Sequence, residues 1–226
     1  MPVRRPRLLI LNASLAGATG NTAVLLTRAH RLLARYATVE RLTLSTFSVS
    51  QNAVGVPLLS AALSPPLLAA LTRADGFLFG TGTHWDSWSS VLQKFLEAAT
   101  PTEATAVWLG KPAAVLVTEH STGGKSVLSR LQGVLVTLGC SIPPMSGLVL
   151  SRAARLAVQH TPDPTMSRDF WCEADLRVVC HNLAAAARFS VSVSVAGASQ
   201  PVAPLHPPRW RTWPVDRRDF NARWIE

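Results

Sequence analysis

"LNASLAGATGNTAVLL", residues Leu11 to Leu26, decides the fold. It runs from the end of an apolar stretch through a small, hydroxyl-rich loop into the start of a helix, which is the opening unit of an open α/β sheet. The loop offers the hydroxyls of Ser14, Thr19 and Thr22 and the amide of Asn21, while Gly17 and Gly20 let the backbone come close to a ligand. The helix that follows adds unpaired N–H groups and a positive dipole end. A phosphate fits there without a cationic side chain.

Two well-known phosphate loops can be tested against this one. A triphosphate loop, GxxxxGK[ST], needs lysine where Asn21 stands and glycine where Leu15 stands. A dinucleotide loop needs GxGxxG, and Ala or Ser occupies the positions ahead of Gly17; only Glu40, 20 residues beyond Gly20, suits a ribose contact. The later "GGKS" (Gly123 to Ser126) also imitates a triphosphate loop, but Glu119 stands where its first glycine belongs. What remains is a loop suited to a lone phosphomonoester.

Strand and helix signals alternate outward from this unit. "RLLILN" (Arg7 to Asn12) is an apolar run of the kind buried on both faces of a parallel sheet. An amphipathic helix is expected from Asn21 to Tyr36, an outer strand from Val39 to Leu44, a loop from Ser45 to Ser64, and a short helix opened by Pro65 and Pro66. Strands then follow at Asp75 to Gly80 and Lys111 to His120, with helices at Ser89 to Thr100 and Gly124 to Gly139. "CSIPPMSGLVL" predicts a fifth strand interrupted by Pro143 and Pro144, and Ser167 to Phe189 a last helix with Ser167 as its N-cap. Five strand-helix pairs with short connections predict a doubly wound, five-stranded parallel sheet with helices on both faces.

At 226 residues, with 48% hydrophobic and 15% charged residues, the chain suits one sizeable α/β domain, residues 1 to 195. A Trp-rich and Arg-rich tail, residues 196 to 226, is expected to cover the chain's own surface or a partner's. The net charge of +9 comes largely from arginine, 19 of 22 basic residues, with three in the first seven positions and five after residue 200. No basic stripe interleaved with aromatics crosses the core, so nucleic acid is not the expected partner. No apolar run reaches ~18 residues and the amino-terminal stretch shows no cleavage site, which leads us to expect a cytoplasmic protein without a membrane partner. Cys140, Cys172 and Cys180 lack metal-ligand spacing and read as free, mostly buried thiols; no metal site is expected.

Ligands of open parallel sheets bind at the carboxyl ends of the strands, where strand order reverses. Besides the first loop, two others leave such ends: "GTGTHWDSWSS" (Gly80 to Ser90) and "TEHSTGGKS" (Thr118 to Ser126). They bring flat apolar faces (Trp85, Trp88), polar edges (Thr83, Ser87, Ser121, Thr122) and close-approach backbone (Gly123, Gly124). A flat heteroaromatic ring with a phosphate tail would use all three loops.

The wording of these segments, "SLAGATGNT", "ADGFLFGTGTHWDSWSSVLQKFLEAAT" and "GKPAAVLVTEHSTGGKSVLSRLQGVLVTLGC", resembles the flavodoxin-like NAD(P)H-dependent FMN reductase and quinone reductase family over roughly the first 150 residues. The resemblance implies a flavodoxin-like sheet, non-covalent FMN, NAD(P)H as co-substrate, a small-molecule electron acceptor and a homodimer or homotetramer. It also implies that Ser14, Thr19, Gly20, Asn21 and Thr22 hold the phosphate, that Thr83, His84, Trp85 and Asp86 border the isoalloxazine, and that Glu119, His120, Ser121, Gly123 and Gly124 reach its pyrimidine edge. Where relatives carry Thr-Pro-x-Tyr, this chain has Thr81, Gly82, Thr83 and His84, and the arginine common in the phosphate loop is missing. No obligatory catalytic side chain is expected, since the cofactor carries the chemistry. Two other readings of the same fold are an electron carrier of flavodoxin type, which the charge of +9 opposes, and a binding or regulatory module without flavin.

Overall fold

The computed structural model describes residues 4–46, 63–160, 170–196 and Arg211. Five strands, β1 (Arg7–Asn12), β2 (Thr38–Thr43), β3 (Gly76–Gly82), β4 (Ala113–Glu119) and β5 (Gly147–Ser151), form one sheet in the order β2-β1-β3-β4-β5. All neighbours pair in parallel. This is the flavodoxin-like order, in which the chain leaves β1 to one side for β2 and crosses to the other for β3. The switch point therefore lies between the carboxyl ends of β1 and β3, where Asn12 pairs with Gly80.

The strands are apolar throughout because both faces are covered. Leu9, Leu11, Phe77, Phe79, Val115 and Val117 face one core, with Phe95 and Trp108. Leu8, Ile10, Leu78 and Leu116 alternate onto the other. The first core is closed by α2 (Pro65–Arg73), α3 (Ser90–Ala99) and α4 (Gly124–Leu138). The second is closed by α1 (Asn21–Leu33) and a long helix at Leu176–Ala196. At Gly80 the fit of α1 against β3 is so close that a Cβ would lie 2.7–2.8 Å from three carbons of Leu26.

Three expectations need correction. The fifth strand is an edge strand whose pairing with β4 begins only at Gly147, beyond Pro143 and Pro144. An unexpected helix, α5 (Arg152–His160), follows it directly; none of its residues is buried, so it leaves little core-facing pattern to read. The last helix, α6, starts at Leu176, where Asp175 accepts a hydrogen bond from the Cys172 N–H at 2.8 Å, and runs to Ala196. The expected cap, Ser167, lies outside the described residues, as do residues 47–62 of the expected loop.

Of the tail, only Arg211 is described. Its backbone N–H and C=O pair with the buried Asn182 side chain at 2.8 and 2.9 Å, and Asn182 also donates to Pro144 O at 2.7 Å. Among the described residues, no helix is long and apolar enough to cross a membrane. None of their His, Cys, Asp or Glu side chains form a group that could hold a metal ion.

Candidate functional site

The first loop is built around Asn12. Its side chain donates to Gly17 O at 2.8 Å and accepts from Ser14 N at 3.2 Å, while Gly17 N returns to Ser14 O at 3.0 Å. Gly17 takes a φ of +56°, open to glycine at no steric cost. The loop then closes over itself: a Cβ on Gly20 would lie 2.9 Å from both Ala16 Cβ and Ser14 Oγ. Thr19 turns its hydroxyl back to Ala16 O at 2.9 Å, and Thr22 shares a 2.7 Å hydrogen bond with the hydroxyl of Thr118 on β4. Asn21 stays exposed. Gly20 is the N-cap of α1, and among the described residues no side chain accepts from the first-turn N–H groups of that helix.

The contrast with α4 is informative. Its N-cap is Gly123, and the Glu119 carboxylate accepts the Gly124 N–H at 2.5 Å. One helix N-terminus at this end of the sheet already holds an anionic group of the chain itself, and the other, beside Ser14, Thr19 and Thr22, is open. The imitation triphosphate loop at Gly123–Ser126 is thus occupied by Glu119, which stands in the helix cap.

The second loop is a tight hairpin. His84 and Ser87 exchange backbone hydrogen bonds at 2.8 and 2.9 Å, and the two residues between them, Trp85 and Asp86, both have positive φ, +48° and +56°. That is the pattern of a two-residue turn usually made with Asn and Gly. The hairpin is tied down at its base, where Thr83 N donates to Thr118 O at 2.9 Å and Ser89 accepts Leu92 N as the cap of α3. It is held at its tip by Arg130 of α4, which donates to Asp86 O. Gly123, with φ +90°, lets Asp86 close in; a Cβ there would be 2.1 Å from Asp86 Oδ1. Trp85 stands wholly in solvent, at 102% exposure, whereas Trp88 is half-buried beneath Arg130 and donates to Gln93 at 2.8 Å.

One polar atom in this region is left over: the Thr83 hydroxyl is buried and has no hydrogen-bond partner among the described residues. A buried hydroxyl without a partner is costly and wants a ligand atom or water. His84 sits against Gly82, and His120, Ser121 and Thr122 are exposed on the third loop, which is fixed to α5 by Ala153 N donating to His120 O at 2.8 Å.

The structure therefore brings the three loops together at the switch point. Reading the sequence missed Asn12, Thr118 and Arg130. Asn12 is a polar residue, fully buried, ending an apolar strand, and that misfit was the available signal. Glu40, the one feature in favour of a dinucleotide loop, pairs with Leu9 well short of the β1 terminus and makes an ion pair with Arg73 at 3.5 Å. It borders a cavity of about 260 Å³ toward the amino ends of the strands, lined also by Arg7, Thr38 and Ala70. The buried thiols of Cys140 and Cys180 are pushed up to about 12 by burial, so neither supplies a thiolate at neutral pH.

Residues 6–155 match the family described as NADPH-dependent FMN reductase. The chain belongs to this family. Its class is accordingly flavin-dependent oxidoreductase. Solved structures with the same fold include RosB with the bound intermediate 8-demethyl-8-formylriboflavin-5'-phosphate, at TM-score 0.64 and 17% identity over 98% of this chain and 99% of that one. A flavodoxin, WrbA-like protein from Agrobacterium tumefaciens gives TM-score 0.55 and 18% identity over 81% and 98% of the two chains. A putative quinone reductase from Klebsiella pneumoniae gives 0.54 and 17% over 76% and 82%. No protein of curated description matches the sequence.

Proposed function

We propose that the protein transfers a hydride from NAD(P)H, through non-covalently bound FMN, to a small organic acceptor such as a flavin or quinone. The observation that carries this reading is the pair of helix N-termini: α4 is capped by Glu119, and α1 is left open beside hydroxyl groups. Ser14, Gly20, Asn21 and Thr22 would hold the FMN phosphate; Thr19 would join them only by releasing Ala16 O, to which both its N–H and its hydroxyl donate. The buried Thr83 hydroxyl donates or accepts at the flavin, with His84, Trp85 and Asp86 on one side and Glu119, His120, Ser121, Gly123 and Gly124 on the other. When bound, FMN supplies hydride chemistry between the nicotinamide and the acceptor. The chain's own part is to bind and orient, and His84 or His120 at the rim delivers the proton that accompanies the hydride. NADPH is the expected reductant, in keeping with the family. We also propose a homodimer or homotetramer working in the cytoplasm; Leu15, 51% exposed, and Leu156, 43% exposed, offer apolar surface for the contact.

Anaerobic mixing with NADPH tests the reading. Protein loaded with FMN should bleach its visible flavin absorbance on mixing and recover it when an acceptor is added. Absence of FMN binding by fluorescence quenching defeats it.

A second reading treats the flavin phosphate as substrate. It is favoured by the RosB match, which extends over nearly all of both chains, beyond the family's span at residue 155. Mass spectrometry of the flavin recovered after incubation separates the two: unchanged FMN supports the reductase, and an altered ring supports the second reading.

A further inference from the structure

We propose that Thr118 is a positioning residue of the phosphate seat: its hydroxyl donates to Thr22 and so turns the Thr22 proton toward a bound phosphomonoester. The proposal deepens the reductase reading above and rests on it. Thr22 is the second residue of α1 and only 3% exposed, and its hydroxyl shares a 2.7 Å hydrogen bond with that of Thr118, 96 residues on. Neither hydroxyl has another hydrogen-bond partner among the described residues. One contact uses one proton, and the pair carries two. The second proton therefore has no acceptor among the described residues, at a place where burial makes an unmade hydrogen bond costly.

The surroundings decide which proton that is. Thr22 lies in the first turn of α1, beside N–H groups that no described side chain accepts from, at the positive end of the helix dipole. An anion seated there is met by donors, so Thr22 presents its proton outward and takes the Thr118 proton on its own oxygen. Thr118 to Thr22 to phosphate is then a chain of hydrogen bonds running one way, each polarising the next. The reverse order would aim Thr22 lone pairs at the anion. β4 places Thr118 for this role, two residues beyond Leu116 on the face that meets α1 in the second core. The Thr118 carbonyl meanwhile accepts the Thr83 N–H at 2.9 Å. One residue thus ties the seat at α1 to the base of the hairpin, where the Thr83 hydroxyl is buried without a partner among the described residues.

The test titrates the purified protein with FMN and with riboflavin, which differ only in the phosphate, by quenching of flavin fluorescence. Thr118→Val keeps the branched shape and removes the donor. It should weaken FMN binding about fivefold and leave riboflavin binding unchanged, a split that a general loss of structure would not produce. Thr118→Ser, which returns the hydroxyl, should bring FMN affinity back to within about twofold of the wild type. In a double-mutant cycle, Thr118→Val should add nothing to the FMN loss caused by Thr22→Val, because Thr118 acts only through that hydroxyl. Equal weakening of FMN and riboflavin in Thr118→Val overturns the proposal, and so do additive losses in the cycle. FMN affinity that stays the same or rises in Thr118→Val also overturns it, since Thr22 would then be the donor of the pair. Wild-type protein that binds FMN and riboflavin alike has no phosphate seat at α1, and the proposal falls while the flavin reading stands. Wild-type protein that binds neither overturns the reductase reading as well.

Discussion

At the amino end of the sheet, Asp75 has both carboxylate oxygens engaged. Arg4 binds them in a fork at 2.7 and 2.8 Å, and Arg7 N adds a third hydrogen bond at 2.7 Å. Lys111 closes the same corner by donating to Leu71 O and Thr72 O at 3.3 and 3.1 Å. At the carboxyl end, among the described residues, the Thr83 hydroxyl has no partner and α1 no side-chain cap, Trp85 and Asp86 take positive φ, and Trp85 lies in water. The same five strands support both ends. One end has its polar groups satisfied internally, as stability requires; the other keeps polar groups and strain left over, which the proposed function assigns to a ligand.

The largest effect that separates the ends is expected at Gly20. In Gly20→Val the new side chain meets Ala16 Cβ and Ser14 Oγ, which a Cβ alone would approach to 2.9 Å. Overpacking of this kind costs about 1–3 kcal/mol. Because the loop is at the surface, the cost falls on the proposed phosphate seat. Fluorescence titration should show FMN affinity reduced by roughly ten- to a hundredfold, with a small change in thermal midpoint.

Asp75→Asn probes the other end and should do the reverse. Burial pushes the Asp75 carboxyl up, but the Arg4 hydrogen bonds, the Arg7 N–H and the charges of Arg4 and Lys111 outweigh it and hold the group below its ordinary 3.8. A carboxyl depressed by folding stabilises the native state fully above its unfolded value, and that contribution fades as pH falls through the folded one. With Arg4 half-exposed, the substitution should cost about 1–2 kcal/mol at neutral pH. Urea melts should show the wild type losing its advantage over Asp75→Asn as pH drops below about 4, and FMN affinity at neutral pH should not move.

The parallel sheet and the three loops at its carboxyl end were legible because parallel strands buried on two faces leave apolar runs and the loops between them leave glycine and hydroxyl clusters; the flavodoxin-like order followed from the family resemblance. Boundaries set by hydrogen bonding across the fold were not. α6 starts at Leu176, just after Asp175 accepts the Cys172 N–H, and the pairing of β5 starts only beyond the two prolines. α5 buries no residue, so no core-facing stripe announced it. Within the site, the residue types in the loops were readable, but their roles were not: Glu119 could not be known to fill the cap of α4, nor Arg130, a helix away, to hold the Asp86 carbonyl. Trp85 and Trp88 read alike in sequence, and only the hairpin puts one in water and the other on Gln93.

The smallest effect is the sharpest test of the comparison, because stability and binding should move in opposite directions. Thr83→Val keeps the shape of the side chain and removes a buried hydroxyl that no described residue satisfies. Without ligand the protein loses a desolvation cost and should gain about 0.5–1 kcal/mol of stability, read as a higher thermal midpoint of the apoprotein. With FMN it forfeits a hydrogen bond, and affinity should drop by about tenfold. If the variant is less stable without ligand, the hydroxyl is satisfied by solvent and the carboxyl end is not strained at this position. If it is more stable and binds FMN as before, the unpartnered atom faces something other than the flavin.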